Sequence, residues 1–236
     1  MILMKKPIVI AHRGASGHVI ENSILSFETA RNMNADMVEL DVQETCDGFL
    51  VVFHDFDVSR LSEQDGLISE MTLKEIQAID LGGSQTIPLL NDVLDFARGK
   101  IGIDIELKSL ETEERIISML HERDMLSDVM FSSYMHATLM VVKEINSELF
   151  TGILYNTFDG DPVVYTKEMG LDAINPKFDT LTSEIVDRAH EEGLQIFPFT
   201  VNESDTMLEL IKMGVDGIIT DFPDMCVKVI QTYTNE

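Results

Sequence analysis

Residues 183–220 read SEIVDRAHEEGLQIFPFTVNESDTMLELIKMGVDGIIT. Apolar residues at helical spacing lead to Gly193, an apolar run follows at 195–201, and the same sequence of events recurs through Gly214 into 216–220. A glycine at the end of a helical pattern is the usual C-cap, and an apolar run starting just after it reads as a buried strand. The stretch is therefore helix, strand, helix, strand, a pattern that builds a parallel sheet covered by helices.

Working outward, the same grammar fills the chain. KEMGLDAI (167–174) repeats the glycine-to-strand step, and SILSFETARNMN (23–34), EERIISMLHERDM (113–125) and MHATLMVVKEIN (135–146) carry helical periodicity. Strands are expected at 7–13, 37–43, 101–107, 129–133, 150–155, 171–175, 195–201 and 216–220. Eight strands with interleaved helices make an α/β fold, a (β/α)8 TIM barrel, and 236 residues suit a single domain spanning 1–236. The exception is 49–98, where FLVVFHD (49–55) reads as an extra strand and a polar connector precedes the helix LLNDVLDFARG (89–99). This is a small insertion after the second strand, above the barrel mouth.

Composition excludes several partners. Lys and Arg number 17 against 42 Asp and Glu, a formal net charge of -25, which repels nucleic acid and anionic bilayers alike. No stretch approaches the roughly 20 apolar residues of a membrane span. The opening MILMKKPIVIAHRG is too short an apolar run for a secretory leader, because His12 and Arg13 interrupt it. Cys46 and Cys226 lack metal-ligand spacing and read as free thiols. The expectation is a cytoplasmic protein with a small-molecule partner, no nucleic acid and no stable membrane association.

A barrel of this kind carries its chemistry at the C-terminal ends of its strands. There lie His12 and Arg13; Glu39 and Asp41 in MVELDVQET; His54 in VVFHD; Asp104, Glu106 and Lys108 in GIDIELKS; and Ser133, Tyr155, Lys177, Asn202 and Asp221. Strand alternation puts Glu39 and Asp41 on one face, and Glu106 and Lys108 on one face. Converging carboxylates repel unless a cation lies between them or they form salt bridges within the barrel. An all-oxygen set suits one hard divalent ion, Mg2+ or Ca2+. With such an ion, Arg13 and Lys108 leave the site one positive charge, complementary to a phosphodiester, which Arg13 can grip in a bidentate fork. His12 and His54 titrate near neutrality and suit general acid and base, although a lone strand-end histidine is more often structural. His121, His136 and His190 read as surface residues, and His18 as a residue of the rim.

HRG followed by ENS, then MVELDVQETCDGFLVVFHD, IDIELK, FTVN and VDGIITDFP resemble, in order and over essentially the whole chain, the glycerophosphodiester phosphodiesterase family. The resemblance implies hydrolysis of glycerophosphodiesters to sn-glycerol 3-phosphate and an alcohol. It implies His12 and His54 as acid and base, Glu39, Asp41 and Glu106 as metal ligands, and Arg13 and Lys108 as phosphate contacts. Ile20 stands where the family commonly has Pro, and Phe199 where Trp is frequent, which bears on substrate preference. Other readings are a lysophospholipase D or sphingomyelinase D type activity on lipids, a Schiff-base chemistry at Lys108, and a non-catalytic glycerophosphodiester-binding protein. The lipid reading conflicts with the acidic surface and the lack of an amphipathic membrane helix, and no acid, base or ligand position is lost as a mere binding protein would allow.

Overall fold

The computed structural model describes residues 6–83 and 85–234. Its strands are β1 (Ile8–Ala11), β2 (Met37–Glu44), β3 (Leu50–Val52), β4 (Gly102–Leu107), β5 (Val129–Ser133), β6 (Phe150–Tyr155), β7 (Ala173–Pro176), β8 (Gln195–Ile196) and β9 (Gly217–Thr220). The helices are α1 (Ile24–Asn32), α2 (Leu73–Ile76), α3 (Leu90–Ala97), α4 (Glu113–His121), α5 (His136–Ile145), α6 (Pro162–Glu168), α7 (Ser183–Glu191), α8 (Ser204–Met213) and α9 (Pro223–Thr234). Parallel pairing runs β8-β7-β6-β5-β4-β2-β1-β9, with β3 pairing antiparallel to β2 off this path.

The barrel closes between the last two strands through single hydrogen bonds. Asp216 N–H donates to the Ile196 carbonyl (3.0 Å), Ile219 N–H to Pro198 (3.0 Å) and Val201 N–H to Ile219 (2.9 Å). This explains why β8 is shorter than the expected 195–201: Pro198 has no N–H to give a regular ladder. The chain beyond it still follows β7, with Phe199 N–H bonded to the Pro176 carbonyl (2.9 Å).

Apolar faces of the helices pack on the outward faces of the strands. Phe27 and Ala30 of α1, Val93 and Leu94 of α3, Ile116 and Leu120 of α4, and Met207 and Leu210 of α8 are all buried in one core with Val38, Leu40, Ile103 and Ile105. Helix ends are set locally: the Ser23 hydroxyl accepts from Ser26 N–H at α1, Asp161 caps α6 with Pro162 at its first position, and Gly214 ends α8 in the left-handed conformation. Inside the barrel, Ile10, Met130, Ala173, Phe197 and Ile219 fill the lower layer.

The insertion is more than the polar connector expected from sequence. Val51, Phe53, Val58, Ile68, Ile76, Ile79, Leu81 and Ile87 form a second, separate core. Beyond Val51 of β3 the apolar residues are spread over short 3-10 turns, the single turn of α2 and the loops between them, so neither a helical nor a strand period reveals them. A capping box of Thr72 and Glu75 starts α2.

Candidate active site

The register of β2 against β4 builds the centre of the site. Glu39 lies level with Asp104 and Asp41 with Glu106, and alternation turns all four inward, where they are buried. One oxygen each from Glu39, Asp41 and Glu106 fall within 4.8 Å of one another. Asp104, one step deeper, lies outside this trio.

Cationic and amide groups surround the trio unevenly. Lys108 Nζ is 3.0 Å from Asp41 and 3.4 Å from Glu106, Arg13 Nε is 3.5 Å from Asp41, and Asn22 donates its amide to Asp41 at 2.8 Å. Burial alone would raise the Asp41 carboxyl, but the charges of Lys108 and Arg13 and the Asn22 hydrogen bond pull it down to about 2. Glu39 and Glu106 receive less of that support: Lys108 and Arg13 favour the charged Glu106, and Arg13 the charged Glu39, but burial and the neighbouring carboxylates outweigh them. Burial and the charge of Asp41 push Glu106 up to about 8, and burial with the charges of Asp41 and Glu106 pushes Glu39 well above the carboxylate range. Burial also lifts Asp104 to about 7; the neighbouring Ser132 hydroxyl pulls the other way, without closing a hydrogen bond of good geometry. A cluster of hard oxygen donors that favours protons when left to itself is the donor set a divalent cation fits.

Two backbone positions are set for this geometry. Arg13 (φ 54) and Asn22 (φ 52) adopt the left-handed conformation that non-glycine residues avoid. Arg13 is held there by its N–H donating to Glu39 (2.8 Å), and Asn22 by its N–H donating to the Arg13 carbonyl (3.0 Å). Gly14 follows with φ 82, and a Cβ there would lie 2.3 Å from the Ser26 hydroxyl, so the turn requires glycine.

Each strand-end histidine carries its own carboxylate. His12 Nδ1 is 2.7 Å from Asp221, which also accepts from Ser16 (2.8 Å) and from the Asn202 amide (2.6 Å). Burial raises Asp221, yet the hydrogen bonds from His12, Ser16 and Asn202 hold it at about 2. His54 Nδ1 is 2.6 Å from Asp55, itself paired with Arg60. Carboxylates only accept, so Nδ1 carries the proton in both rings and Nε2 is left for other chemistry. Burial lowers the His54 ring below its ordinary range; Lys108 and Arg13 add to the shift while Asp41 and Asp55 oppose it.

The expected constellation thus comes together: His12, Arg13, Glu39, His54 and Glu106 line one cavity of about 100 Å³ at the C-terminal mouth, with Asp41 and Lys108 in contact with its wall. A larger cavity of about 590 Å³ opens at the other end of the barrel among Ile8, Met37, Met130, Phe150 and Phe197, and none of the strand-end groups reaches it. Of the other named strand-end residues, Asn202 serves Asp221, Ser133 donates to the Leu107 carbonyl, and Lys177 pairs with Asp179 away from the trio. His18 pairs with Asp224, and His190 with Asp216. His136 departs from the surface reading: it is half-buried, its Nε2 donating to the Leu154 carbonyl at 3.0 Å. Lys108 is held in its charged form by Asp41 and Glu106 although burial works against it, which removes the free amine a Schiff base needs.

Sequence reasoning missed the supports. Gln43 donates to the carbonyls of Phe53 (2.7 Å) and Asp55 (2.7 Å), fixing the turn that carries His54. Glu21 joins Arg13 (2.9 Å) to Arg60 (2.6 Å) of the insertion. The HD dipeptide is the visible signal for Asp55, and Asp221 already stands among the strand-end residues; for Gln43 and Arg60 there is none.

Residues 12–225 match the model of the glycerophosphoryl diester phosphodiesterase family. The chain belongs to this family. A glycerophosphodiester phosphodiesterase of Caldanaerobacter subterraneus is 35% identical over 96% of this chain and 98% of its own length. One from Bacillus subtilis is 31% identical over 96% of this chain and 87% of its own. Among solved structures, an Oleispira antarctica phosphodiesterase in complex with its product sn-glycerol-3-phosphate superposes with a TM-score of 0.88 at 26% identity, covering 95% of this chain and 97% of that one. The family's barrel is also that of a Silicibacter pomeroyi protein, TM-score 0.91 at 24% identity, covering 97% of this chain and 94% of that one.

Proposed function

We propose that the protein hydrolyses glycerophosphodiesters to sn-glycerol 3-phosphate and an alcohol by acid-base catalysis between His12 and His54. The observation that carries this reading is the pair of histidines on one cavity, each oriented through Nδ1 by a carboxylate, beside a carboxylate trio and two cations. Family membership and the product held by the Oleispira antarctica relative support the substrate class.

Glu39, Asp41 and Glu106 would hold one divalent ion, Mg2+ or Ca2+, which when bound polarises the phosphoryl oxygens and offsets their charge. Arg13 and Lys108 receive the non-bridging oxygens, Arg13 by its planar fork and Lys108 as a point charge. His54, with its lowered ring, is neutral near pH 7 and takes the proton from the attacking hydroxyl. His12, aimed by Asp221, gives a proton to the oxygen of the departing alcohol. The attacking group in this assignment is the 2-hydroxyl of the glycerol moiety. Its oxygen bonds to phosphorus as the ester bond to the alcohol breaks, leaving a cyclic 1,2-phosphate. The histidines then exchange roles: His12, now neutral, deprotonates water, which opens the ring, while His54 returns its proton to the 2-oxygen.

The test compares glycerophosphocholine, its 2-deoxy analogue and a bis-aryl phosphate under one metal condition. The deoxy analogue should bind, because its phosphate still meets Arg13 and Lys108, yet its kcat should collapse. Comparable kcat/KM for the deoxy analogue would exclude attack by the glycerol hydroxyl and leave water as the nucleophile.

A further inference from the structure

A cavity of about 100 Å³ is small beside the roughly 300–1,000 Å³ of ordinary ligand pockets, so a diester seated phosphate-first cannot be wholly enclosed. Its second alcohol has to emerge at the mouth. Tyr134 and Leu154 line the catalytic cavity and also an adjoining cleft of about 500 Å³, so the two lie side by side at the mouth. That cleft lies between the turn after β5 and the loop joining β6 to α6.

Its walls are aromatic. Phe158 packs edge-on to Tyr155 and Tyr165, with ring centroids 5.2 Å apart in each case, and stacks with His136 at 6.4 Å. Polar bonds hold the rings in place: His136 Nδ1 is 3.3 Å from the Tyr165 hydroxyl, and Tyr134 donates to Asn156 at 3.3 Å. Tyr134 is 45% exposed despite its size, so its ring remains open to a ligand. Asp159 on the rim is exposed, and no Lys or Arg is among the described residues lining the cleft. Aromatic faces with one carboxylate and no competing cation are the surroundings that attract a quaternary ammonium, whereas an uncharged polyol gains little from them.

We propose that this cleft is the subsite for the leaving alcohol and that it selects a quaternary ammonium headgroup, making glycerophosphocholine the preferred diester. The proposal rests on the phosphodiesterase reading above, and assigns Phe158, Tyr134 and Asp159 as specificity residues.

Two measurements test it, one with turnover and one without. The ratio of kcat/KM for glycerophosphocholine to that for glycerophosphoglycerol should fall by about 3- to 30-fold in Phe158→Leu, the size of a partly desolvated cation–π contact. It should also fall in Asp159→Asn, an exposed change that leaves packing intact. An unchanged ratio in both variants would overturn the proposal. Tetramethylammonium titrated into the unmodified protein should give saturable NMR shifts on the Phe158 and Tyr165 rings, and these should weaken in Asp159→Asn. Lack of saturation below about 100 mM would also overturn it. Hydrolysis of neither diester, alongside saturable tetramethylammonium binding, would sink the phosphodiesterase reading and leave the cleft's ligand class standing.

Discussion

In the proposed mechanism His12 and His54 each depend on a carboxylate that stands behind the ring. Asp221 and Asp55 accept from Nδ1 and so fix which nitrogen faces the cavity, the device by which a carboxylate sets an imidazole's tautomer. His12→Ala and His54→Ala should each lower kcat by about 10²–10⁴, the usual size of a general acid or base contribution. If both act in one proton-transfer sequence, as proposed, the double variant should be far less impaired than the product of the single losses implies. Asp221→Asn keeps the shape but can donate to Nδ1 and stabilise the wrong tautomer, so kcat should fall while KM for the diester changes little. Steady-state kinetics on glycerophosphocholine with the four proteins checks this; near-normal kcat in either histidine variant would remove its assigned role. His190→Ala, on an exposed pair with Asp216 far along α7, should leave kcat unchanged.

Among the elements, β2 does most to position the site, with Glu39, Asp41 and Gln43 on one inward face. Its strand alternation was legible from MVELDVQE alone, as were the pairing of Glu106 with Lys108 and the whole helix–strand alternation, because periods of 2 and 3.6 are properties of local sequence. The register that sets Asp41 beside Glu106 was not legible, since it depends on where β4 lies against β2. Nor was the second core of the insertion, whose apolar residues follow no period, or the reach of Arg60 across the mouth to Glu21 and Asp55. The half-buried state of His136 was hidden for the same reason: its partners, Leu154 and Tyr165, come from distant elements. Gln43 tests the element-scale account. Gln43→Leu leaves a buried carbonyl at Phe53 and a part-buried one at Asp55 without their donor, which should cost about 1–3 kcal/mol of stability. The released turn should also lower kcat, since His54 loses its fixed position. Urea unfolding with parallel kinetics measures both, and full activity at reduced stability would show that the His54 turn is held by other contacts.

Across the whole molecule, the carboxylate trio should couple stability to pH and to metal. Glu106 moves from its ordinary 4.5 to about 8 on folding, Asp104 from 3.8 to about 7, and Glu39 moves upward as well. Between the unfolded and folded values the native state binds more protons than the unfolded chain, so unfolding free energy falls as pH rises through that window. Asp41 and Asp221, both held near 2, act in the opposite sense, but their stabilisation is complete above about pH 4 and is lost only as the pH drops toward 2. From pH 5 to 8 the raised groups therefore govern the local contribution, and Tm of the chelated protein should decline. The net charge of -25 adds a diffuse self-repulsion over the same range, which added salt screens. Glu106→Gln separates the two, because it deletes one titrating group while changing the net charge little, and its decline in Tm should be shallower. A divalent ion held by the trio as proposed would compete with the protons for the same oxygens, so its stabilisation should be small at pH 5 and large at pH 8. The check is calorimetry at both pH values with chelator, with Mg2+ and with Ca2+, at fixed ionic strength. A metal-induced rise in Tm that is equal at pH 5 and pH 8, or that survives in Glu106→Gln undiminished, would place the ion somewhere other than among Glu39, Asp41 and Glu106.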